Sequence, residues 1–155
     1  MSEGKIKGIY IAAKAGDGIS GHEKVLIRAG KGIVGDRYYS ETGKNRSNYK
    51  GQPDWEITLI ESEVVENFNS ATGNTFHESD FRRNVVTEGI RLNDLVGKTF
   101  RVNGLECYGV QLCEPCASLQ KRLAYKILPD LVGKGGLRAQ IRGAGIIAVG
   151  DSIES

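Results

Sequence analysis

Hydrophobic positions recur along this chain in short, roughly alternating runs, each closed by turn residues. The runs at 5–13, 24–28, 56–60, 83–87, 98–103 and 105–112 are brief and apolar or β-branched, and they predict strands. Between the last two stands Asn103-Gly104, the signature of a type I′ hairpin turn, whose two central residues both need positive φ. Runs at 137–142, 145–149 and 151–154 predict three closing strands. Arg142-Gly143-Ala144-Gly145 and Gly150-Asp151 supply their turns. A period of 3.6 emerges twice. Residues 61–72 space Val64, Val65 and Phe68 helically, with acids in the first turn and Gly73 placed as a C-cap. Residues 116–128 put Leu119, Leu123, Ile127 and Leu128 on one face, with Pro115 in the first turn, where a missing N–H costs nothing. Many short strands with few helices predict a mainly β domain, a closed or partly closed β-barrel, over residues 1–155. An alternating α/β sheet is excluded, because helices do not alternate with the strands.

Composition adds one anomaly. The chain has 21 glycines in 155 residues, about 13.5%, nearly twice the usual ~7%. With only three prolines and no G-X-Y period, collagen is excluded, and a 39% hydrophobic share argues against wholesale disorder. Tight turns, or loops whose backbone approaches a ligand, account for such an excess. No segment approaches the ~20 apolar residues of a membrane span, so no membrane partner is expected. Lys5, Lys7 and Lys14 interrupt or flank the first apolar run, which argues against a signal peptide. Three cysteines are too few for a secreted disulfide framework, so a cytoplasmic location is expected.

The net charge of +2 conceals a segregation. Residues 51–81 hold seven acids and no Lys or Arg; residues 28–50 carry a net +4 and residues 121–142 a net +5. Separate solvated faces explain this blandly. Converging basic segments would instead favour an anionic small molecule or a nucleic acid. The few aromatics are not interleaved with basic residues as a stacking platform requires, so nucleic acid is disfavoured.

Cys113-Glu114-Pro115-Cys116 is the sharpest local feature. A thiol in a helix's first turn faces unpaired N–H groups and the positive end of the dipole, which stabilise the thiolate. Zinc would need two further ligands, and Cys107, His22 and His77 show no matching spacing. A thioredoxin-type dithiol and a pair of small buried hydrophobes are the other readings. Glycine and cation constellations stand around it. Gly30-Lys31-Gly32-Ile33-Val34-Gly35-Asp36-Arg37 is neither a Walker loop nor a Rossmann fingerprint. Arg82-Arg83-Asn84 offers two guanidiniums beside an amide, suited to phosphate or carboxylate, or to ion pairing with Asp80. Lys134-Gly135-Gly136-Leu137-Arg138 could bring backbone close to an anion between two cations.

Taken in order, GKGIVGDR, DFRRNVVTEGI, LNDLVGKTFRVN, CEPC, GKGGLRAQI and GAGIIAVGD resemble the MOSC domain, named for the C-terminal part of molybdenum-cofactor sulfurases, over residues 5–153. The small stand-alone bacterial members are the most similar. The resemblance implies a barrel of the MOSC or pyruvate kinase β-barrel type that binds the molybdenum cofactor (molybdopterin). It implies that Cys116 is a Mo ligand or sulfur carrier, with Cys113 able to pair with it or act as a second sulfur site. Arg37, Arg83, Lys134 and Arg138 become candidates for the cofactor's phosphate and pterin oxygens, and Asn84 for a pterin hydrogen bond; Gly35, Asp36, Gly135 and Gly136 accompany them. The implied function is reduction of N-hydroxylated substrates or sulfur transfer to the cofactor, with an external reductase or sulfur donor. The alternative is a non-catalytic carrier of the cofactor or another anion. Nothing resembling a pyridoxal-phosphate desulfurase or an iron–sulfur domain accompanies the motifs, so pyridoxal phosphate is not expected. The glycine loops around residues 30–35 and 133–136 are expected to face one anion-binding cleft with Cys116.

Overall fold

The computed structural model describes residues 3–14, 18–40, 56–113, 123, 131 and 133–155. Seven strands close into a barrel. They are β1 (Glu3–Ile11), β5 (Ile57–Glu61), β6 (Val85–Glu88), β7 (Thr99–Val102), β8 (Leu105–Leu112), β9 (Leu137–Ile141) and β11 (Ser152–Glu154). Their cyclic order is β1-β11-β7-β8-β9-β5-β6, with β6 returning to β1. Every neighbouring pair is antiparallel except β5 and β6. A parallel pair needs a crossover, and α2 (Ser62–Thr72) is in that connection. The two-residue β2 (Ser20–Gly21) extends the edge of β1. A small second sheet joins β3 (Lys24–Arg28), β4 (Gly32–Ile33) and β10 (Gly145–Ala148) in the order β10-β3-β4. The short α1 (Arg37–Ser40) and two 3-10 turns, Glu78–Phe81 and Leu92–Leu95, complete the described elements.

Side-chain alternation explains the wall. In β9, Leu137, Ala139 and Ile141 enter the main core, which places Arg138 and Gln140 on the outer face. The imperfect alternation of β1 has a cause: the register against β6 shifts between Ile6 and Gly8, so that Ile6 and Ile9 both reach the core. Strand β5 is buried on both faces. Its Ile57 and Leu59 fill the barrel, while Ile60 joins a second cluster with Val65, Phe68, Phe81 and Val86. That second cluster seats α2, whose C-cap Gly73 is left-handed as the sequence predicts. Both Asn103 and Gly104 have positive φ, in agreement with the expected hairpin turn. The helix expected over 116–128 lies outside the described residues, apart from Leu123, which packs against the second cluster.

Candidate functional site

Asn84 and Arg138 belong to the outer wall where β1, β5, β6, β8 and β9 lie side by side, and the other described candidates stand in segments that border it. A polar row crosses this wall. Cross-strand partners share a face, so the pairs Gln111↔Arg138 and Thr58↔Arg138 put Arg138 beside both Gln111 and Thr58. Thr58 continues the row to Asn84, whose Oδ1 accepts from the Thr58 amide at 3.0 Å and its hydroxyl at 3.2 Å. The Asn84 amide nitrogen donates to the Tyr10 carbonyl at 3.2 Å, and its side chain is fully buried. Asn84 therefore ties three strands together through one side chain.

Two guanidiniums stitch distant segments to this wall. Arg37 donates from Nη2 to the Arg82 carbonyl at 2.9 Å and pairs through Nη1 with Asp36 at 3.0 Å. Asp36 is completely buried, and its Oδ1 also accepts from the Ala12 amide. Such a pair is costly to bury unless both members are hydrogen-bonded, and here they are. Arg83 donates from Nε to the Gly135 carbonyl at 2.8 Å and from Nη1 to Phe81 at 3.3 Å. It is half-buried, and its Nη2 has no partner among the described residues. Between these two arginines, Arg82 takes a left-handed conformation, φ 61° and ψ 24°, as the cap of the Glu78–Phe81 turn. A left-handed non-glycine residue costs about 1–2 kcal/mol. Contacts on both sides hold it: its amide donates to Ser79, and its carbonyl accepts from Arg37.

Cys113 closes the assembly. It follows β8 directly in a buried position, and its amide donates to the Gly136 carbonyl at 2.7 Å. Gly136 has φ 112°, and a Cβ there would collide with the Leu59 carbonyl, so glycine is required for β5 and the 133–136 loop to approach. Gly135 is buried, whereas Lys134 is exposed. Cys107, by contrast, sits in the barrel core. Burial, with Glu56 and Glu106 adding to it, pushes its thiol up to about 12. It is chemically silent at neutral pH.

The expectation of two facing glycine loops needs correction. The Gly30 amide donates to Ile141, and Gly32 packs on the Glu56 carbonyl. Gly135 and Gly136 precede Leu137, at the other end of β9, about 13 Å away at the usual rise per residue. Gly30 and Gly32 serve the pairing of β3 with β4 instead. The end of that loop, Gly35-Asp36-Arg37, is linked to the wall elsewhere, through Ala12 and Arg82. Cys116, the expected metal ligand, lies outside the described residues. Two participants carried no signal in the sequence. Thr58 looks like any β-branched strand residue, and Glu56, buried and accepting from the Ile141 amide, looks like an ordinary acid before a strand.

A model of the MOSC domain matches residues 46–154. The chain belongs to the MOSC domain family. That family is associated with the molybdenum cofactor. Among solved structures, this MOSC domain is similar to the YUAD protein from Bacillus subtilis, with a TM-score of 0.78 and 19% identity over 98% of this chain and 94% of that one. It is also similar to YiiM from Geobacillus stearothermophilus (TM-score 0.69, 18% identity, 97% and 74% of the two chains). For YiiM from Escherichia coli the values are 0.70, 17%, 99% and 69%. At these identities the likeness concerns the fold. No curated protein matches the chain. Among the described residues, no helix of this MOSC domain is long and apolar enough to cross a membrane, and no group of three His, Cys, Asp or Glu side chains could hold a metal ion.

The wall suits the anionic part of such a cofactor. It presents the open Nη2 of Arg83, the exposed ammonium of Lys134 and a loop, 133–136, whose Gly133 leaves open space where a side chain would stand. Fixed guanidinium forks and backbone free of Cβ atoms are what phosphate recognition uses.

Proposed function

We propose that this MOSC domain binds the molybdenum cofactor on the outer wall, beside the 133–136 loop. The observation that supports it is the joining of separated segments: Arg37 reaches Arg82, Arg83 reaches Gly135, and Cys113 reaches Gly136. The roles follow from residue type and place on the wall. Arg83, Lys134 and Arg138 take the phosphate and pterin oxygens, and Gly35, Gly135 and Gly136 shape the loops that border them. Asp36, Arg37 and Asn84 act as positioning residues, because their polar atoms are already used in holding the wall. Cys116 is the soft thiolate for the metal, and Cys113, three residues before it, fixes the start of its segment through the bond to Gly136.

When bound, the cofactor supplies a redox-active metal for oxygen removal from N-hydroxylated substrates, or a site to which sulfur is delivered. In the first case an external reductase provides electrons; in the second, a sulfur donor loads Cys116. Expression in a host that makes the cofactor, followed by measurement of Mo and pterin in the purified protein, tests the reading. Mo and pterin are expected to co-purify in proportion to protein, and Mo to be lost in Cys116→Ser. A preparation without either, or one in which Cys116→Ser changes nothing, overturns it. Cofactor retained without turnover of an N-hydroxylated substrate and a supplied reductase or any sulfur transfer assigns the carrier role instead.

A further inference from the structure

A groove of about 600 Å3 runs along α2, bounded by the 91–93 turn and by Leu131, Gly133 and Lys134. Its volume falls within the range of sites for small organic ligands. Val64, Phe68 and Ala71, at helical spacing, make an apolar floor along the helix, and Leu131 faces them. Among the described residues its charged lining is uneven: Arg91 and Lys134 supply two cations against the carboxyl of Glu61. Arg91 is four-fifths exposed and reaches Asp94 only at 3.9 Å, so its guanidinium is available. Glu61 already directs one oxygen to the Leu92 amide at 3.2 Å. Asn93 donates to the Gly133 carbonyl at 2.8 Å, fixing the loop that carries Lys134 to the turn that carries Arg91. That bond joins the two segments that carry the cations, at one side of a groove that is apolar along Val64, Phe68 and Ala71 and polar at Asn67 and Thr72.

We propose that this groove binds a small amphipathic organic anion. Its apolar body lies on Val64, Phe68 and Ala71, and its carboxylate, sulfonate or phosphate is taken by Arg91 and Lys134. The groove is separate from the polar row on the barrel wall and does not rest on the cofactor reading. Lys134 borders both, so the variants that test it avoid Lys134.

Anilinonaphthalenesulfonate serves as the fluorescent probe, titrated into the full chain whether or not cofactor is present. Saturable binding at one site is expected. Ala71→Trp, which puts a large ring at an exposed position on the groove's lining, is expected to weaken it about tenfold or more, and Arg91→Ala about fivefold. The uncharged phenylnaphthylamine should bind at least about fivefold more weakly than the sulfonate. Amide NMR shifts on titration should concentrate in 64–72, 91–93 and 133–134, which guards against a variant that merely loosens the fold. Displacement by dodecanoate would show that alkyl anions also enter; resistance to it would confine the groove to aromatic ones. Absence of saturable binding, equal affinity of the neutral probe, parent-like binding by both variants, or shifts elsewhere would each overturn the proposal. Because the readout needs no metal, loss of the cofactor reading leaves this result standing.

Discussion

At the scale of single residues, the ion pair of Asp36 with Arg37 carries the largest electrostatic stake in the wall. Both are buried, and the same aspartate oxygen also accepts from Ala12. Removing one member of a buried pair strands the other, which typically costs 3–5 kcal/mol. Asp36→Ala should therefore destabilise the fold by about 3 kcal/mol, read as a lower urea midpoint with unchanged slope. Asp36→Asn keeps the acceptor for Ala12 and should cost less; equal losses would sink this account. Glu61 shows the opposite balance. Burial raises its pKa above the ordinary 4.5, opposed by the bond from Leu92 and by Arg91, and reinforced by Glu63 and Asp94. Below pH 4.5 the carboxyl is neutral in both folded and unfolded chains, and no penalty exists. As pH rises through the folded-state pKa, ionisation costs more in the fold than in the open chain, so stability is lost. Glu61→Gln, which still accepts from Leu92, should melt like the parent in acid and above it at neutral pH. Melting curves across that interval decide the matter.

Elements differ in how much of themselves they announce. Glycine is required at two turns for different reasons, and substitution separates them. Gly104 has φ 74° with open space around it, so Gly104→Ala should cost about 1–2 kcal/mol, the ordinary left-handed penalty. Gly136 adds a collision with the Leu59 carbonyl, and Gly136→Ala should cost about 3 kcal/mol or more. Thermal melts of the two variants rank them; similar losses would mean that the loop yields. The hairpin at Asn103-Gly104 was legible because its signal is local, as were β3 and β8, whose ends agree with the alternating runs. Strands β2 and β4, two residues each, have no period to read. Strand β6 starts at Val85, two residues later than the pattern suggests, because left-handed Arg82 turns the chain just before it. The candidate residues were legible as types, and their arrangement was not. Arg83, Lys134 and Gly136 stood out as residue types, but the contact of Arg83 with Gly135 spans 52 residues, and no local rule supplies it. For the same reason the Gly30–Gly32 segment was misplaced. Its glycines serve a strand pairing that depends on where Glu56 and Ile141 meet.

For the molecule as a whole, closure is the decisive event. Strand β11 bridges β1 and β7, pairing Gly4 with Ile153 and Ile153 with Val102, so the two ends of the sequence complete the ring. Without that strand, β1 and β7 would each expose an unpaired edge. Ile153 is entirely buried in the main core, whereas Ile146, on the outer face of the small sheet, is 55% exposed. The same truncation at these two positions therefore asks whether the barrel or the peripheral sheet sustains the fold. Ile153→Ala removes buried methyl groups and leaves a cavity among strands that cannot easily collapse, a loss of roughly 2–5 kcal/mol. Ile146→Ala should stay within about 0.5 kcal/mol of the parent. In a domain of this length the first corresponds to a fall in melting temperature of several degrees, at roughly 2–4 °C per kcal/mol. Closure also joins residues far apart in sequence, so their contacts form only after a long loop has been brought together. If those contacts form late, Ile153→Ala should act mainly by speeding unfolding and should leave the folding rate nearly unchanged. A variant that folds more slowly but unfolds at the parent rate would place closure early, in the folding nucleus.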